Sequence, residues 1–394
     1  MKIALVCNEY PPRPHGGIGT FTYALAHGLT ARGHSVTVVG LSDEADEWDD
    51  RGVRVISLRH QPVRFISALT QRLQLYRFLR AEVRAGRIDL VEIPDFLGLL
   101  PLRRGLGCPV VVRLHLTATA MSLHRGEKPR PSNVFCERRM LAVHDNWIGI
   151  SKYSMDLTHK TFPGLRPRRA RVIYCPIDGA DVDESVRPPW PRYVVYAGSV
   201  QPRKGAVVLA RAARTFLRDH PDVQLVYVGR VLSEGGRGVD ELVHEAIGDE
   251  QLSARVHFTG GVSRPQVLAY MRHARVFALP STLETFGLVA AEAMQQGCPV
   301  VVSDEGPFPE FVQHGRTGLL VNPTDSDAVA DAVGALLRDP QRAAEMGRAA
   351  REYVEQTFGL EAHLDETLRF YEECRRQPQA RVPSVDSCAQ WSAT

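Results

Sequence analysis

The sequence predicts an α/β protein with two Rossmann-like domains, each built on a parallel sheet, that face a central cleft. Three observations lead to this fold class. The chain has 394 residues, which exceeds the roughly 250–300 residues at which one hydrophobic core stops growing. Short apolar runs alternate with helical periodicity, as expected for βαβ units. A proline-rich segment at 187–191 interrupts this alternation near the middle of the chain, because proline cannot donate a backbone hydrogen bond.

Each half of the chain contains a series of apolar strand candidates separated by helical patterns. In the first half the predicted strands are 2–7, 35–39, 53–58, 88–93, 109–114, 147–150 and 171–174. In the second half they are 193–197, 223–228, 255–258, 275–279, 299–302 and 318–321, with helices that include 204–219 and 288–296. Further helical patterns follow at 326–338, 340–357 and 360–377. We therefore predict a first domain at 1–180, a linker at 181–192, a second domain at 193–360, a closing helix at 361–378 and a flexible tail at 379–394.

The composition is that of a globular protein with no preference for a strongly charged partner. Hydrophobic residues make up 44% and charged residues 24%, and the formal net charge is +3, which does not indicate nucleic-acid binding. The seven cysteines form no CxxC pair, as is typical of reduced thiols and not of a disulfide framework or a zinc site. No signal-peptide pattern and no apolar run of about 18 residues is found. The expected location is the cytoplasm, either free or peripheral to the inner face of a membrane.

The first predicted strand leads into a loop that contains Gly16, Gly17 and Gly19 before a helix begins. Glycines between a first parallel strand and its helix let backbone N–H groups approach a phosphate or a sugar. The spacing is not that of the dinucleotide pattern GxGxxG. Ligand contact and a simple flexible turn are both consistent with this loop.

The segment 280–302 is the richest in candidate ligand contacts. Glu284 lies in a loop between a predicted strand and a helix that begins near residue 287. The free N–H groups of residues 286–288 at this helix N-terminus favour a phosphate in the cleft. Glu292 lies two turns into the helix, and carboxylates accept hydrogen bonds from sugar hydroxyls. For either glutamate alone, the alternative is a capping residue or a surface residue.

A third element combines a strand, a turn at Gly198 and two cations, Arg203 and Lys204, at the start of the next helix. Cations at a helix N-terminus oppose the helix dipole by about 0.3–1 kcal/mol, and an anionic ligand between them reverses that penalty. Only five of the 48 basic residues are lysines, so Lys204 beside Arg203 is a notable candidate for a diphosphate clamp. The alternative is a pair of solvated surface cations.

Together these three elements resemble the retaining GT-B glycosyltransferases of family four over almost the whole chain. The matching motifs are the Gly16-Gly17 loop, the Arg203/Lys204 pair before Gly205, the spacing Glu284-x7-Glu292 with its Phe-Gly-Leu core, and residues 315–320. The resemblance implies GT-B architecture with a C-terminal helix that crosses back to the first domain. It also implies a donor sugar linked to UDP or GDP, held mainly by the second domain, and an acceptor held mainly by the first.

The roles of individual residues follow from this resemblance. His115 matches the histidine that reaches the transferred sugar, Glu284 the residue near the donor sugar hydroxyls, and Glu292 the residue that binds the ribose. Arg203 and Lys204 are suited to stabilise charge on the departing diphosphate, which makes His115, Glu284, Arg203 and Lys204 the expected catalytic set. Further donor contacts are expected at Gly16, Gly17, Gly198, Val262, Phe286, Gly287 and Leu288. The implied reaction transfers a hexose-type sugar to an acceptor hydroxyl with retention of configuration, and it needs no metal or other cofactor.

The sequence departs from the family pattern at two positions. Ser199 stands where family members commonly have an arginine, so Arg203 has to supply the second cation, and Arg230 replaces the second glycine of a pair. Residues 181–183 and 325–327 have the spacing of metal-binding DxD motifs, but neither follows a strand and a nucleotide loop. We interpret both as turn or cap residues.

The sequence constrains the acceptor less than the donor. Residues 63–87 combine an apolar stripe with six arginines and one acid. Such a helix can rest on an anionic membrane and reach a lipid-linked acceptor, or it can pack on the sheet with its arginines reaching solvent, which is the interpretation we favour. A small soluble acceptor is equally consistent. Tyr10 and Asp95, which follow predicted first-domain strands, are the expected acceptor contacts.

Two other functions share the expected fold and donor cleft. A GT-B sugar-nucleotide epimerase would turn over the nucleotide sugar without an acceptor, and a nucleotide-sugar-binding regulator would release it unchanged. The presence of His115, Lys204, Glu284 and Glu292 together argues against the regulator.

Overall fold

The computed structural model describes residues 1–13, 15–59, 67–101, 106–177, 179 and 182–376. The predicted tail at 379–394, the start of the basic helix at 63–66 and Asp181 lie outside the described residues. Within the described residues, no helix is both long and apolar enough to cross a bilayer. The six cysteines in the described part of the chain are free thiols, and four of them are buried.

The first domain contains an eight-stranded sheet. Its strands are β1 (Lys2–Val6), β2 (Ser35–Ser42), β3 (Asp46–Asp50), β4 (Val53–Arg59), β5 (Leu90–Pro94), β6 (Val110–Leu114), β7 (Asn146–Gly149) and β8 (Arg169–Val172). They lie in the order β3-β4-β2-β1-β5-β6-β7-β8, and only β3 is antiparallel to its neighbour. The helices are α1 (Gly17–Ala31), α2 (Ser67–Arg84), α3 (Ala118–His124), α4 (Pro131–Val143) and α5 (Lys152–Thr161). Strand β6 is buried along its whole length, as expected for a parallel strand covered on both faces.

The second domain contains a six-stranded parallel sheet and a small hairpin. Its strands are β9 (Tyr193–Ala197), β10 (Gln224–Val228), β11 (Ser233–Glu234), β12 (Arg237–Gly238), β13 (Val256–Phe258), β14 (Val276–Leu279), β15 (Val300–Ser303) and β16 (Leu319–Val321). The sheet order is β13-β10-β9-β14-β15-β16, and β11 pairs with β12 outside it. The helices are α6 (Ala206–Asp219), α7 (Val239–Ile247), α8 (Glu250–Ser253), α9 (Arg264–His273), α10 (Leu288–Gln295), α11 (Ser326–Arg338), α12 (Pro340–Thr357) and α13 (Leu360–Arg376).

Both sheets have the same strand order around their first strand. In each sheet, the first six parallel strands, numbered along the chain within that domain, lie side by side in the order 3-2-1-4-5-6. This is the strand order of doubly wound dinucleotide-binding folds. This arrangement confirms the predicted fold class. In such sheets the crevice outside the carboxyl ends of the strands binds ligands, at the point where the strand order reverses.

The last helix, α13, packs on the first domain. Arg32 at the end of α1 forms ion pairs with Glu361 and Asp365 of α13. Deeper in the interface, the hydroxyl of Tyr371 donates a hydrogen bond to Glu92 on β5, with an oxygen–oxygen distance of 2.6 Å. The first strand and the last described helix therefore lie on the same domain.

Within the described residues, the basic segment 63–87 forms α2 (Ser67–Arg84), which packs on the first sheet. Leu75 and Leu79 are fully buried in the core between this helix and the sheet. Arg72 is also buried and donates hydrogen bonds to the carbonyl oxygens of Leu97 and Gly98. Of its large apolar side chains that are described, Leu69 is exposed. These contacts support the packed-helix interpretation.

The two DxD spacings are local turn and cap structures where they are described. Asp325 is the N-cap of α11, where its carboxylate accepts hydrogen bonds from the N–H groups of Asp327 and Ala328. Asp183 accepts hydrogen bonds from the N–H group and the hydroxyl of Ser185. The interpretation as cap and turn residues is confirmed for these two aspartates.

Candidate active site

A cavity of about 520 Å³ lies between the two domains. Its first-domain wall comes from the loops after β1, β5, β6 and β7, from α1 and α3, and from Cys175. Its second-domain wall comes from residues 203–204 and from the loop and helix at 284–289. Of the predicted site residues, those on the cavity surface are Gly16, Gly17, His115, Arg203, Lys204, Glu284, Phe286, Gly287 and Leu288.

Lys204 and Glu284 form an ion pair on the second-domain wall. The Nζ atom of Lys204 lies 3.1 Å from Oε1 of Glu284, and the side chains are only 15% and 13% exposed. Between Lys204 and α6, Gly205 has a φ of +79°, and a Cβ atom there would lie 2.0 Å from the carbonyl oxygen of Pro280. Only glycine fits this position. Gly198 lies beside Lys204, since a Cβ built on Gly198 would be 3.4 Å from Nζ.

Arg203 is anchored to the same loop that carries Glu284. Its guanidinium donates a hydrogen bond to the carbonyl oxygen of Leu283, and its own carbonyl oxygen accepts one from the N–H group of Thr282. Its Nε atom is buried and has no hydrogen-bond partner among the described residues. Arg203 and Lys204 thus bring two cationic side chains to one side of the cavity.

The N-terminus of α10 adds backbone donors to this wall. Gly287, the N-cap residue, has a φ of +82°, and a Cβ atom there would lie 2.5 Å from the ring of Phe308. The backbone therefore turns sharply into the helix, whose first N–H groups lack helical acceptors and carry a positive partial charge. Leu288 faces the opposite domain, where a Cβ built on Gly17 would lie 3.7 Å from its Cδ1 atom.

His115 follows β6 on the first-domain wall and is held there by Asp95. One carboxylate oxygen of Asp95 accepts hydrogen bonds from the N–H groups of His115 and Leu116, at 2.9 and 3.1 Å. Burial raises the pKa of Asp95 to about 7. Burial, together with the nearby Arg113, lowers the pKa of His115 to about 3. The imidazole is therefore neutral at pH 7.

A buried ion pair lies behind His115. The guanidinium of Arg113 donates two hydrogen bonds to the carboxylate of Glu92, at 2.7 and 2.8 Å, and it lies 4.7 Å from the ring centre of Phe21. The ring of Phe21 also meets the imidazole of His115 edge-on. Tyr371 donates to the same carboxylate of Glu92, so this cluster connects α13 to the wall of the cavity.

The structure places five predicted contact residues outside the cavity surface. Glu292 is buried and pairs with Arg264, with Oε1 and Nε 2.7 Å apart. Val262 packs against the core of the second domain. The hydroxyl of Tyr10 donates a hydrogen bond to Asp50. Asp95 and Gly198 contact the residues that line the cavity, His115 and Lys204, and not the cavity itself.

Hydrogen bonds across the domain interface fix the two walls relative to each other. Glu310 of the second domain accepts hydrogen bonds from the N–H groups of Lys152 and Tyr153, at 2.9 and 2.7 Å. These are the first N–H groups of α5, so the carboxylate of one domain caps a helix of the other. The hydroxyl of Ser151 also donates to the carbonyl oxygen of Thr285.

Two acidic residues on the first-domain side of the site were not predicted from the sequence. Glu9 lines the cavity and accepts a hydrogen bond from the N–H group of Gly19, at 3.0 Å. Its position directly after the first strand, within the glycine-rich loop, is the signal that points to it. Glu137 on α4 is fully buried and binds the loops on which the wall is built. No local pattern marks it, because its partners are distant in sequence.

Comparison with known proteins agrees with this geometry. Residues 15–181 match the sequence family "Glycosyltransferase Family 4", and residues 180–353 match "Glycosyl transferases group 1". The chain is 30% identical to the glycogen synthase of Mycobacterium tuberculosis, over 98% of this chain and 99% of that protein. It is 31% identical to a GDP-mannose-dependent alpha-(1-6)-phosphatidylinositol monomannoside mannosyltransferase of Mycolicibacterium smegmatis, over 89% and 93% of the two chains.

Among solved structures, a sucrose-phosphate synthase from Thermosynechococcus elongatus superposes with a TM-score of 0.78. The sequence identity is 25%, and the match covers 94% of this chain and 98% of that one. The two family matches adjoin at the boundary between the two sheets. These matches show that the chain belongs to the group 1 glycosyltransferases of GT-B fold.

Proposed function

We propose that this enzyme transfers a hexose-type sugar from a UDP- or GDP-linked donor to an acceptor hydroxyl, with retention of configuration and without an essential metal ion. The observation that carries the proposal is the Lys204–Glu284 pair next to Arg203 and the N-terminus of α10. Within a few ångströms this group offers cations for a diphosphate and a carboxylate for sugar hydroxyls.

In the proposed reaction, the bond between the sugar anomeric carbon and the diphosphate oxygen breaks, and a bond to the acceptor oxygen forms on the same face. The departing phosphate oxygen takes the acceptor proton. Arg203, Lys204 and the first N–H groups of α10 stabilise the charge that develops on the diphosphate. Each charge-assisted hydrogen bond of this kind contributes about 1.5–3 kcal/mol.

The proposed transfer uses no covalent nucleophile. Glu284 is paired with Lys204 at 3.1 Å, next to the cations suited to the diphosphate. We assign Glu284 to hydrogen bonds with the sugar hydroxyls instead. The neutral His115 lies on the opposite wall, where it would bind another hydroxyl of the transferred sugar. Glu292 stays the candidate for the donor ribose, next to its partner Arg264.

A thermal-shift panel with UDP, GDP and ADP tests the donor assignment. A ligand at 100 times its Kd adds about 2.7 kcal/mol to stability, so the correct nucleotide should raise the Tm clearly. Lys204→Ala should remove most of this shift and most activity, whereas Lys160→Ala, an exposed lysine on α5, should change neither. If no nucleotide raises the Tm of the wild type, the donor assignment is wrong.

Product analysis tests the remaining parts of the proposal. NMR of the product should show the anomeric configuration of the donor, and EDTA should leave the rate unchanged. Inversion, or loss of activity in EDTA that Mg²⁺ restores, would contradict the respective part. The relatives named above are a synthase and a transferase, which favours transfer over the epimerase alternative. An epimerase would consume donor without acceptor.

A further inference from the structure

We propose that the acceptor is an uncharged alcohol with an apolar ring or chain next to its reacting hydroxyl, bound against the first-domain side of the cavity. The surface concerned, called the apolar wall below, consists of Phe96, Leu97, Leu99, Leu116 and Met121. The inference rests on the proposed function, because the nucleotide sugar has to occupy the second-domain side.

Among the described residues, the cations and helix N-terminus suited to the donor diphosphate lie on the second-domain side of the cavity. Arg203, Lys204, Glu284 and the N-terminus of α10 all belong to the second domain. A donor held by these groups leaves the first-domain side to the acceptor. His115 lies on that side as well, so the acceptor hydroxyl would meet the donor sugar near the imidazole.

The described lining of the first-domain side favours an uncharged acceptor over an anionic one. Among the described residues that line this side, the one charged side chain is the carboxylate of Glu9, and no lysine or arginine is present. His115 is neutral, and the nearby Arg113 is buried and held by Glu92. From these described residues a phosphorylated acceptor would meet a carboxylate and no compensating cation. An apolar ring or chain gains by leaving water for such a surface.

The apolar wall is held in place by a buried carboxylate. Leu97 adopts a φ of +63°, a left-handed conformation that is strained for a residue with a branched side chain. Its N–H group donates to Oε1 of Glu137, at 2.9 Å, and its carbonyl oxygen accepts from the guanidinium of Arg72. The structure thus retains backbone strain at the point where a leucine side chain faces the cavity.

The same carboxylate also positions α3, which carries Met121. Glu137 accepts hydrogen bonds from the N–H groups of Ala118 and Thr119, at 2.7 and 3.1 Å, and from the hydroxyl of Thr119. Met121 lies in the first turn of α3. One buried group therefore fixes both parts of the apolar wall, which is the preorganisation expected of a binding surface.

Ligand-observed NMR binding with and without saturating nucleotide tests this inference. The probes are octyl and 4-nitrophenyl glycosides of glucose and mannose, below their micelle concentrations, compared with the free sugars and their 6-phosphates. We expect at least one apolar glycoside to bind about tenfold tighter than its free sugar, and the phosphates to bind weakest. A preference for the octyl glycosides would indicate a lipid acceptor, and one for the nitrophenyl glycosides a soluble ring-bearing acceptor. Equal binding of free sugars, tighter binding of phosphates, or no binding of either apolar glycoside would overturn the inference.

A matched pair of variants locates the binding. Met121→Gln should weaken binding of the apolar glycosides about tenfold and leave the nucleotide Kd unchanged. Leu123→Gln, on the same helix but 53% exposed and outside the cavity surface, should change neither. No effect in Met121→Gln, or an equal effect in both variants, would refute the apolar wall. Absence of any nucleotide binding defeats the donor assignment and this inference with it, whereas nucleotide binding without preference for apolar glycosides defeats this inference alone.

Discussion

Replacing Glu137 with glutamine should loosen the apolar wall without changing the nucleotide site. The Glu137 carboxylate is fully buried and accepts from three backbone N–H groups and one hydroxyl. Oε1 accepts hydrogen bonds from the N–H groups of Leu97 and Ala118, and Oε2 accepts them from the N–H group and the hydroxyl of Thr119. A glutamine keeps one acceptor oxygen and presents an NH₂ group to the other pair of donors. At least one backbone N–H group then has no acceptor.

The magnitude follows from these four hydrogen bonds. A buried donor without an acceptor costs about 1–3 kcal/mol, and each remaining bond weakens by about 1 kcal/mol when its acceptor loses its charge. Relief of the cost of burying a carboxylate offsets part of this loss. We expect a net local destabilisation of about 2–3 kcal/mol. Since about 1.4 kcal/mol corresponds to a factor of ten, local opening should become roughly 30- to 150-fold more frequent.

Amide hydrogen exchange measured by mass spectrometry reads this effect directly. Peptides that cover 96–99 and 117–121 should exchange faster in Glu137→Gln by that factor, and peptides that cover 284–292 should not change. Glu127→Gln, an exposed glutamate that follows α3, serves as the control. Unchanged exchange at 96–99 would show that Glu137 does not hold Leu97 in its left-handed conformation. An equal change in the second domain would show that the two walls are not independent.

Three further predictions follow from the buried and interdomain contacts. Tyr371→Phe removes the hydrogen bond to Glu92 and should lower the free energy of unfolding by about 1.5–3 kcal/mol in urea; no loss would mean that this bond adds nothing to stability. Burial lowers the pKa of His363 from 6.5 to about 3, so as the pH falls below 6.5 the unfolded chain binds the proton first and the folded protein loses stability. His363→Gln should reduce the loss of stability between pH 7 and pH 5 by about 2 kcal/mol. An unchanged pH dependence would show that His363 is not the group that causes this loss. Glu310→Gln should weaken the cap across the domain interface and increase the radius of gyration of the ligand-free protein in X-ray scattering; identical scattering would show that this contact does not hold the domains together.

The strands that the sequence predicted are the apolar, buried ones. Parallel strands covered on both faces give short apolar runs, and each predicted strand corresponds to a strand of the two sheets. The elements that were not predicted lie at the periphery. Strand β3 has the sequence DEWDD, and its acids, which disfavour strands, suit an exposed edge where charge prevents pairing with other chains. The hairpin of β11 and β12 has only two residues in each strand.

The position of a residue at a strand end or a helix start predicted which side chains reach the cavity. His115, Arg203, Lys204 and Glu284 follow strands or begin helices, and all four line the cavity. Residues that act through distant partners gave no such signal. Arg72 resembles the other arginines of a basic helix, and Glu137 lies in a polar run, yet both are buried because their partners come from other elements. A single sequence does not show which charged residues are buried.

The contact between Tyr371 and Glu92 also affects how the protein folds while it is being made. These two residues are 279 positions apart, so at 5–20 residues per second the tyrosine leaves the ribosome roughly 15–55 s after the glutamate. During that interval the first domain lacks α13, and the Glu92–Arg113 pair has no hydroxyl beside it. The second domain, whose strands are contiguous in sequence, is synthesised in full before the first domain is complete. We expect the nascent first domain to stay partly open and to be the part of the chain that chaperones bind.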